Sequence, residues 1–193
     1  MSTARPQFPL SSRLLHWTMA AMILITLGIG VTMVASMASY HALISIHRLL
    51  GIAILLLVII RFVNRLLYPP PLPATMSRME HVAATSSEWT LYALMFLLPL
   101  IGWAMLSAAG YPIILYGSVR LPAILSHNLP LYAVLRQTHA ILAYALFLMF
   151  LAHPGAILFH TLIERDGILE RMVPWSVRPR ETASTRAAHN CTD

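Results

Sequence analysis

The chain has 193 residues, of which 58% are hydrophobic and only 10% are charged. Its mean hydropathy of +0.71 lies far above that of soluble globular domains and excludes that class. The 13 basic and seven acidic residues give a formal net charge of +6, but the basic residues are all arginines that lie between and after apolar runs. We therefore interpret the charge as a topology signal at a membrane surface, not as a nucleic-acid-binding surface.

Four long apolar runs follow one another along the chain. Each is close to or above the roughly 20 residues that cross a bilayer as a helix. Backbone polar groups in hydrocarbon must be paired internally, which favours helices. The sequence therefore predicts an all-α fold, a four-helix transmembrane bundle. The predicted spans are Leu14 to Met37, Leu43 to Ile60, Trp89 to Ala109 and Leu131 to Phe159.

The arginines are distributed unevenly between the two sides of the predicted membrane. If both ends of the chain lie on one side, ten arginines fall on that side and only Arg48, Arg120 and Arg136 fall opposite. The positive-inside rule then predicts that both termini are cytoplasmic.

The segments outside the spans differ in composition. Tyr68 to Ala74 is rich in proline, which excludes a helix there. Gly110 to Pro130 is partly apolar, and it either lies on the membrane surface or covers a site. Near the end, Trp175 could anchor at the interface, and we expect disorder in the polar stretch that follows. We therefore divide the chain into a membrane domain, residues 1–178, and a polar, disordered tail, residues 179–193.

Four histidines lie within or at the ends of the spans, where a polar side chain is costly and is a functional hypothesis by default. His16 begins the first span on the inner side. His47 and His139 begin the second and fourth spans on the outer side. His153 follows His139 by 14 residues, about 21 Å further in and on nearly the same helix face. Depth alone pairs His47 with His139 and His16 with His153.

Each pair of imidazoles could ligate the iron of one haem, which gives two six-coordinate b-type haems at two depths. Covalent c-type attachment is excluded because the chain has no CxxCH motif. One histidine at a helix end is more often a plain interfacial residue, but four at two matching depths favour haem. A zinc or copper site is the main alternative; it needs three or four ligands at one depth, and no acidic residue lies within the spans.

Basic and small residues lie beside these pairs. Arg61 follows His47 by 14 residues and could meet the propionates of the inner haem, or it could be a snorkelling interfacial arginine. Arg48 and Arg136 flank the outer histidines and could meet outer propionates or attract an anion. Gly51 would allow close approach of a macrocycle or of a neighbouring helix.

Four stretches of the sequence carry motifs of a known family. They are SRLLHW (Ser12 to Trp17), SIHRLLGIAILLLVIIRFVNRLLYPPP (Ser45 to Pro71), LYALMFLLPLIGW (Leu91 to Trp103), and QTHAILAY followed by AH and FH (Gln137 to His160). With these motifs, about residues 11 to 174 resemble the bacterial cytochrome b561 family, small di-haem cytochromes of the inner membrane with four helices.

The resemblance implies a membrane electron carrier that exchanges electrons with ubiquinone. One type of member is a superoxide oxidase, so superoxide is the expected donor at the outer face. His160 matches a family histidine near a proposed quinone site. Glu88 stands where the family commonly has a histidine, which puts a role of that position in quinone or proton handling in doubt. The haem ligands that the resemblance implies are His16, His47, His139 and His153.

Two other functions stay open at this point. The chain could be a haem-bearing anchor that docks a dehydrogenase or hydrogenase and relays its electrons, with the polar tail as a docking arm. A transporter or structural bundle without a cofactor is the third reading, and it predicts a colourless protein.

Overall fold

The computed structural model describes residues 8–69 and 77–164, and it contains four helices that are long and apolar enough to cross a membrane. This confirms the predicted all-α, four-helix transmembrane bundle. The predicted proline-rich segment beyond residue 69, the anchor Trp175 and the tail from residue 179 lie outside the described residues. The helices are α1 (Leu10–Ala35), α2 (Met37–Leu67), α3 (Arg78–Ala108) and α4 (Leu129–Phe159).

α2 and α3 extend well beyond the predicted spans, whereas the ends of α1 and α4 differ from the predicted ends by at most four residues. A helix of 31 residues, the length of α2, α3 and α4, is about 46 Å long, whereas the hydrocarbon core is about 30 Å thick. The extra turns carry polar and charged residues, so hydropathy does not detect them. The first turn of α3 shows how such a polar end is stabilised. Ser77 Oγ accepts from Glu80 N at 3.3 Å, and Ser77 N donates to Glu80 Oε2 at 2.8 Å, which is a capping box.

α1 and α2 are joined at a single residue. Ser36 has an extended backbone (φ −137°, ψ 107°) between the end of α1 and Met37, the first residue of α2. Its N–H donates to Thr32 O at 2.9 Å and so closes the last turn of α1. Residues 38–42, which lie between the first two predicted spans, are therefore helical and belong to α2.

The buried core lies mainly between α1, α2 and α3. In chain order the helices pack α1 against α2, α2 against α3, and α3 against α4, whereas α1 and α4 meet only sparsely among the described residues. Within residues 129–159, Leu146 is the one buried side chain. The core cluster consists of Met19, Ile23, Ile54, Leu55, Val58, Tyr92, Leu94, Met95, Leu98 and Leu146.

The segment between α3 and α4 forms a short antiparallel hairpin of β1 (Ile113–Tyr116) and β2 (Val119–Leu121). The glycine in the connecting turn, Gly117, has a positive φ of 55°, which favours glycine. Ile113 is buried, and β1 packs against both α2 and α3. The segment therefore packs on α2 and α3, while its position on the membrane surface or over a site stays a prediction.

Three hydrogen bonds hold the end of this segment on α3. Trp103 Nε1 donates to Pro122 O at 2.9 Å, and Ile124 N donates to Ser107 Oγ at 3.2 Å. Asn128 N donates to Ala108 O at 2.9 Å. The start of α4 is thus fixed to the end of α3.

Candidate functional site

The inner pair of histidines joins the first helix to the fourth. His16 on α1 and His153 on α4 have ring centroids 6.2 Å apart, with an angle of 55° between the ring planes. Trp17 packs edge-on against His16 at 5.7 Å. Two helices that otherwise meet sparsely therefore bring two imidazoles close together at this depth.

The outer pair joins the second helix to the fourth. His47 on α2 and His139 on α4 also have ring centroids 6.2 Å apart, with an angle of 69° between the planes. The Nδ1 atoms of both rings are buried and make no hydrogen bond of acceptable geometry among the described residues, although the backbone of Thr26 lies near His47 and that of Leu98 near His139. Both pairs match the pairing predicted from depth.

Glycines on the adjacent helices make room for the outer imidazoles. A Cβ at Gly30 on α1 would lie 3.6 Å from His47 Cε1. A Cβ at Gly102 on α3 would lie 3.3 Å from His139 Cε1 and 3.6 Å from its Nδ1. Each outer ring therefore packs on the bare backbone of a neighbouring helix, which limits its movement away from its partner.

The separation of the rings suits one metal ion between each pair. Two metal–nitrogen bonds of about 2 Å, with about 1 Å from each nitrogen to its ring centroid, give a centroid separation of about 6 Å. Both observed separations are 6.2 Å. The alternative of a zinc or copper site with three or four protein ligands is not supported, because no group of three or more His, Cys, Asp or Glu forms within residues 8–69 and 77–164.

Open space lies on α2 one turn from the outer pair. A Cβ at Gly51, one turn after His47 on α2, would meet no atom within 4 Å. α4, which carries a histidine of each pair, is the helix with the fewest buried residues within the described bundle. Paired imidazoles with adjacent open volume fit a haem, whose iron takes two axial ligands.

A polar network surrounds the inner pair. Arg61 Nη1 donates to Ser12 O at 3.3 Å, and Asn64 Nδ2 donates to Ser12 Oγ at 2.7 Å. The Arg61 guanidinium also interacts electrostatically with the imidazoles of His16 and His153. Arg61 therefore lies at the depth of the inner pair, as predicted. Ser12 and Asn64 are not identified from the sequence. The signal that could have found them is that both are polar and occur at the same depth on neighbouring helices.

Glu88 has a charged partner that the sequence did not indicate. Arg65 Nε donates to Glu88 Oε1 at 2.6 Å, and Arg65 Nη2 donates to Glu88 Oε2 at 2.9 Å, which makes a bidentate ion pair. The pair links α2 to α3. The negative charge of Glu88 is therefore neutralised by Arg65 of the same chain.

Three other residues predicted for the site take no part in the contacts described above for the histidine pairs. They are Arg48, Arg136 and His160. Arg48 Nε donates to Ile44 O at 3.2 Å, one turn back on its own helix. Arg136 is exposed and precedes His139 by one turn of α4. His160 begins a π-helical turn, His160–Glu164, at the end of α4. Such turns are frequent at functional sites, but the side chain of His160 lies outside the described part of the structure.

A bundle of four apolar helices that holds two imidazole pairs at two depths is the architecture of a membrane cytochrome that carries electrons. The family model described as prokaryotic cytochrome b561 matches residues 7–175, most of the chain. The chain belongs to this cytochrome b561 family, as the sequence motifs predicted. It is therefore a multi-pass bacterial membrane protein of electron transfer that binds b-type haem.

Two relatives illustrate the similarity. The chain is 28% identical over 162 residues to cytochrome b561 homolog 2 of Escherichia coli (strain K12), which covers 82% of this chain and 86% of the relative. It is 35% identical over 130 residues to the probable superoxide oxidase CybB of Yersinia pestis, which covers 67% of this chain and 73% of the relative.

Proposed function

We propose that the protein is a di-haem b-type cytochrome of the bacterial inner membrane that moves single electrons from superoxide at the outer face to ubiquinone at the inner face. Both termini are cytoplasmic in this proposal, as the arginine distribution predicts. The observation that carries it is the occurrence of two histidine pairs, each with ring centroids 6.2 Å apart, at two depths of one bundle.

In this proposal the four histidines would hold two haems. His47 and His139 hold the outer haem, and His16 and His153 hold the inner one. When bound, each haem supplies reversible one-electron chemistry at its iron, at a potential that the protein sets through ligands, burial and hydrogen bonds. The glycine contacts orient the outer rings, and Arg61 supplies a positive charge beside the inner pair.

The choice of superoxide rests on charge and on one relative. Arg48, Arg120 and Arg136 are the three arginines that the proposed topology places at the outer face, and a positive surface raises the arrival rate of an anion. The relative from Yersinia pestis bears the name of a probable superoxide oxidase. In the balanced reaction, two superoxide anions each lose one electron to give two molecules of dioxygen. Ubiquinone takes up the two electrons and two protons to give ubiquinol.

The pairing of ligands can be tested without knowledge of the donor. A reduced-minus-oxidised spectrum of the purified protein should show b-type alpha bands and two haems per chain. His139→Ala should lose the outer haem, and His153→Ala should lose the inner one. His41→Ala, an exposed histidine on α2, is the matched control and should keep both. Retention of two haems in His139→Ala would refute the pairing.

The superoxide reaction needs a separate test. Superoxide mixed with the oxidised protein in a stopped-flow instrument should reduce the haems, and superoxide dismutase should abolish this reduction. Equal rates with and without the dismutase would refute superoxide as the donor. The alternative of a haem-bearing anchor predicts instead a dehydrogenase or hydrogenase that co-purifies from native membranes.

A further inference from the structure

The two histidine pairs are held in different ways. The backbone of a glycine on a neighbouring helix packs on each outer ring. Among the glycines of the described residues, none would bring a Cβ within 4 Å of His16 or His153. The distance and the angle between the two inner rings must therefore be set by other contacts.

The helix that carries His16 begins without a side-chain cap of its own. Pro9 precedes α1 and provides no side-chain hydrogen bond to the first turn. α1 meets α4 only sparsely among the described residues, although His16 lies opposite His153 on that helix. The position of the inner end of α1 therefore depends mainly on α2, against which α1 packs.

Asn64 on α2 bridges the first turn of α1. Its Oδ1 accepts a hydrogen bond from Ser11 Oγ at 3.2 Å, and its Nδ2 donates to Ser12 Oγ at 2.7 Å. One turn earlier on α2, Arg61 Nη1 donates to Ser12 O at 3.3 Å. Ser12 is only 7% exposed, so the bonds that it makes lie at the contact between the two helices. We call these four residues, Ser11, Ser12, Arg61 and Asn64, the inner clamp.

The inner clamp holds the turn of α1 that precedes the inner histidine. Ser12 and His16 are four residues apart, so they lie on one face of α1 and about 6 Å apart along its axis. The buried residues Met19 and Ile23 continue this face into the core. A polar side chain on a core-facing stripe is costly unless it is hydrogen-bonded. Asn64 provides that hydrogen bond for Ser12.

A junction of a single residue lies at the opposite end of α1. Ser36, with its extended backbone, joins α1 to α2 there, and it is about 30 Å along the axis from His16. The side chains of a binding site must be held to within about 0.5 Å. At this distance from Ser36, a tilt of α1 by only about 1° moves His16 by that amount. The inner clamp lies beyond His16, at the end of α1 where it limits such a tilt most.

We propose that Asn64 is a positioning residue for His16. By holding Ser11 and Ser12, it fixes the tilt and rotation of α1 and so sets the angle between the inner ring planes, which is 55°. The inference rests on the proposed function, since it concerns a ligand of the inner haem. A purely structural role predicts instead that the loss of Asn64 weakens the whole bundle and disturbs both haems equally.

The first test replaces Asn64 by leucine, which is similar in size and makes no hydrogen bond. Electron paramagnetic resonance of the oxidised, haem-loaded protein is the readout, because the largest g value of a low-spin ferric haem follows the angle between its two imidazole planes. The inner haem gives the signal that His153→Ala removes. We expect Asn64→Leu to shift this signal and to lower the affinity for the inner haem about tenfold, the lower end of the range for residues that support a metal-binding histidine. The signal of the outer haem should not change.

Three further variants separate positioning from packing and charge. Asn64→Asp keeps two oxygen atoms that can accept from the hydroxyls of Ser11 and Ser12, so it should restore the parent g value although it adds a charge. Ser12→Ala leaves Asn64 in place and should shift the inner signal by a smaller amount. Thr32→Ala is the matched control on α1, because Thr32 Oγ1 donates within its own helix, to Gly28 O at 2.9 Å. It should leave both signals unchanged.

The possible outcomes are distinct. If the parent protein shows fewer than two low-spin haems, or if His153→Ala removes neither signal, the proposed ligation fails and the role of Asn64 fails with it. If the parent shows both haems and Asn64→Leu keeps the inner g value, only the role of Asn64 is overturned. An equal shift of both signals, or no recovery in Asn64→Asp, would also overturn it. If Asn64→Leu does not assemble, Ser12→Ala decides, and an unchanged inner signal in that variant would refute the positioning role.

Discussion

Gly102→Ala tests whether the backbone of α3 positions the outer imidazole of His139. The added Cβ would lie 3.3 Å from His139 Cε1, closer than the roughly 3.5–4.0 Å of an unstrained carbon–carbon contact. The ring must therefore shift by a few tenths of an ångström or turn away from its rotamer, which costs about 0.5–1.5 kcal/mol. Replacing glycine by alanine in a helix returns about 1 kcal/mol. We expect a nearly unchanged free energy of unfolding but a disturbed outer site.

The measurable effect is on the outer haem. Residues that orient a metal-binding histidine change metal affinity by about 10–100-fold, and we expect the lower end, about tenfold, because alanine is the smallest addition. Haem content per chain and low-temperature absorption spectra of the two haems report this change. A thermal unfolding curve of the same sample reports the stability.

Two other glycine variants serve as graded controls. Gly28→Ala gains the same helix preference and meets no atom within 4 Å, so both haems should be unaffected. Gly30→Ala places its Cβ 3.6 Å from His47 Cε1, an ordinary contact, and should have little effect. If the outer spectrum of Gly102→Ala is no more disturbed than that of Gly28→Ala, the positioning role is refuted.

Three further predictions concern the outer space, the inner charge and the α2–α3 ion pair. Gly51→Phe should fill the open volume one turn from His47 and halve the haem content per chain; two retained haems would contradict this. Arg61→Leu should lower the midpoint potential of one haem by about 60 mV, because a positive charge favours the reduced form; potentiometric titration showing no downward shift would refute it. Glu88→Gln should cost at most about 1 kcal/mol, since the ion pair with Arg65 is partly exposed; detergent unfolding with a greater loss would contradict it.

The fold and the histidine pairing were predictable because both depend on features that sequence reports directly. A span must be apolar, and a buried imidazole is conspicuous in an apolar run. Position along antiparallel helices then fixes depth, so His16 and His153 could be paired without coordinates. The helix ends were not predictable in the same way, because the polar turns of α2 and α3 project beyond hydrocarbon and resemble loops in a hydropathy profile.

Other contacts depend on the rotation of helices about their axes, which hydropathy does not fix. The bidentate pair of Arg65 and Glu88 requires that two particular helix faces meet. The packing of Gly102 against His139 requires a close approach of two backbones that composition alone does not reveal. The hairpin after α3 was missed because its strands are only four and three residues long.

The order of the helices has a consequence for how the protein matures. Under the proposed ligation, each imidazole pair takes one ring from α1 or α2 and the other from α4, which is synthesised after the other three described helices. A chain that stops before α4 would carry half of each ligand set and could hold neither haem with two axial ligands. Loading of both cofactors would then report that α4 has been made and inserted beside α1 and α2, and chains that lack α4 would remain colourless.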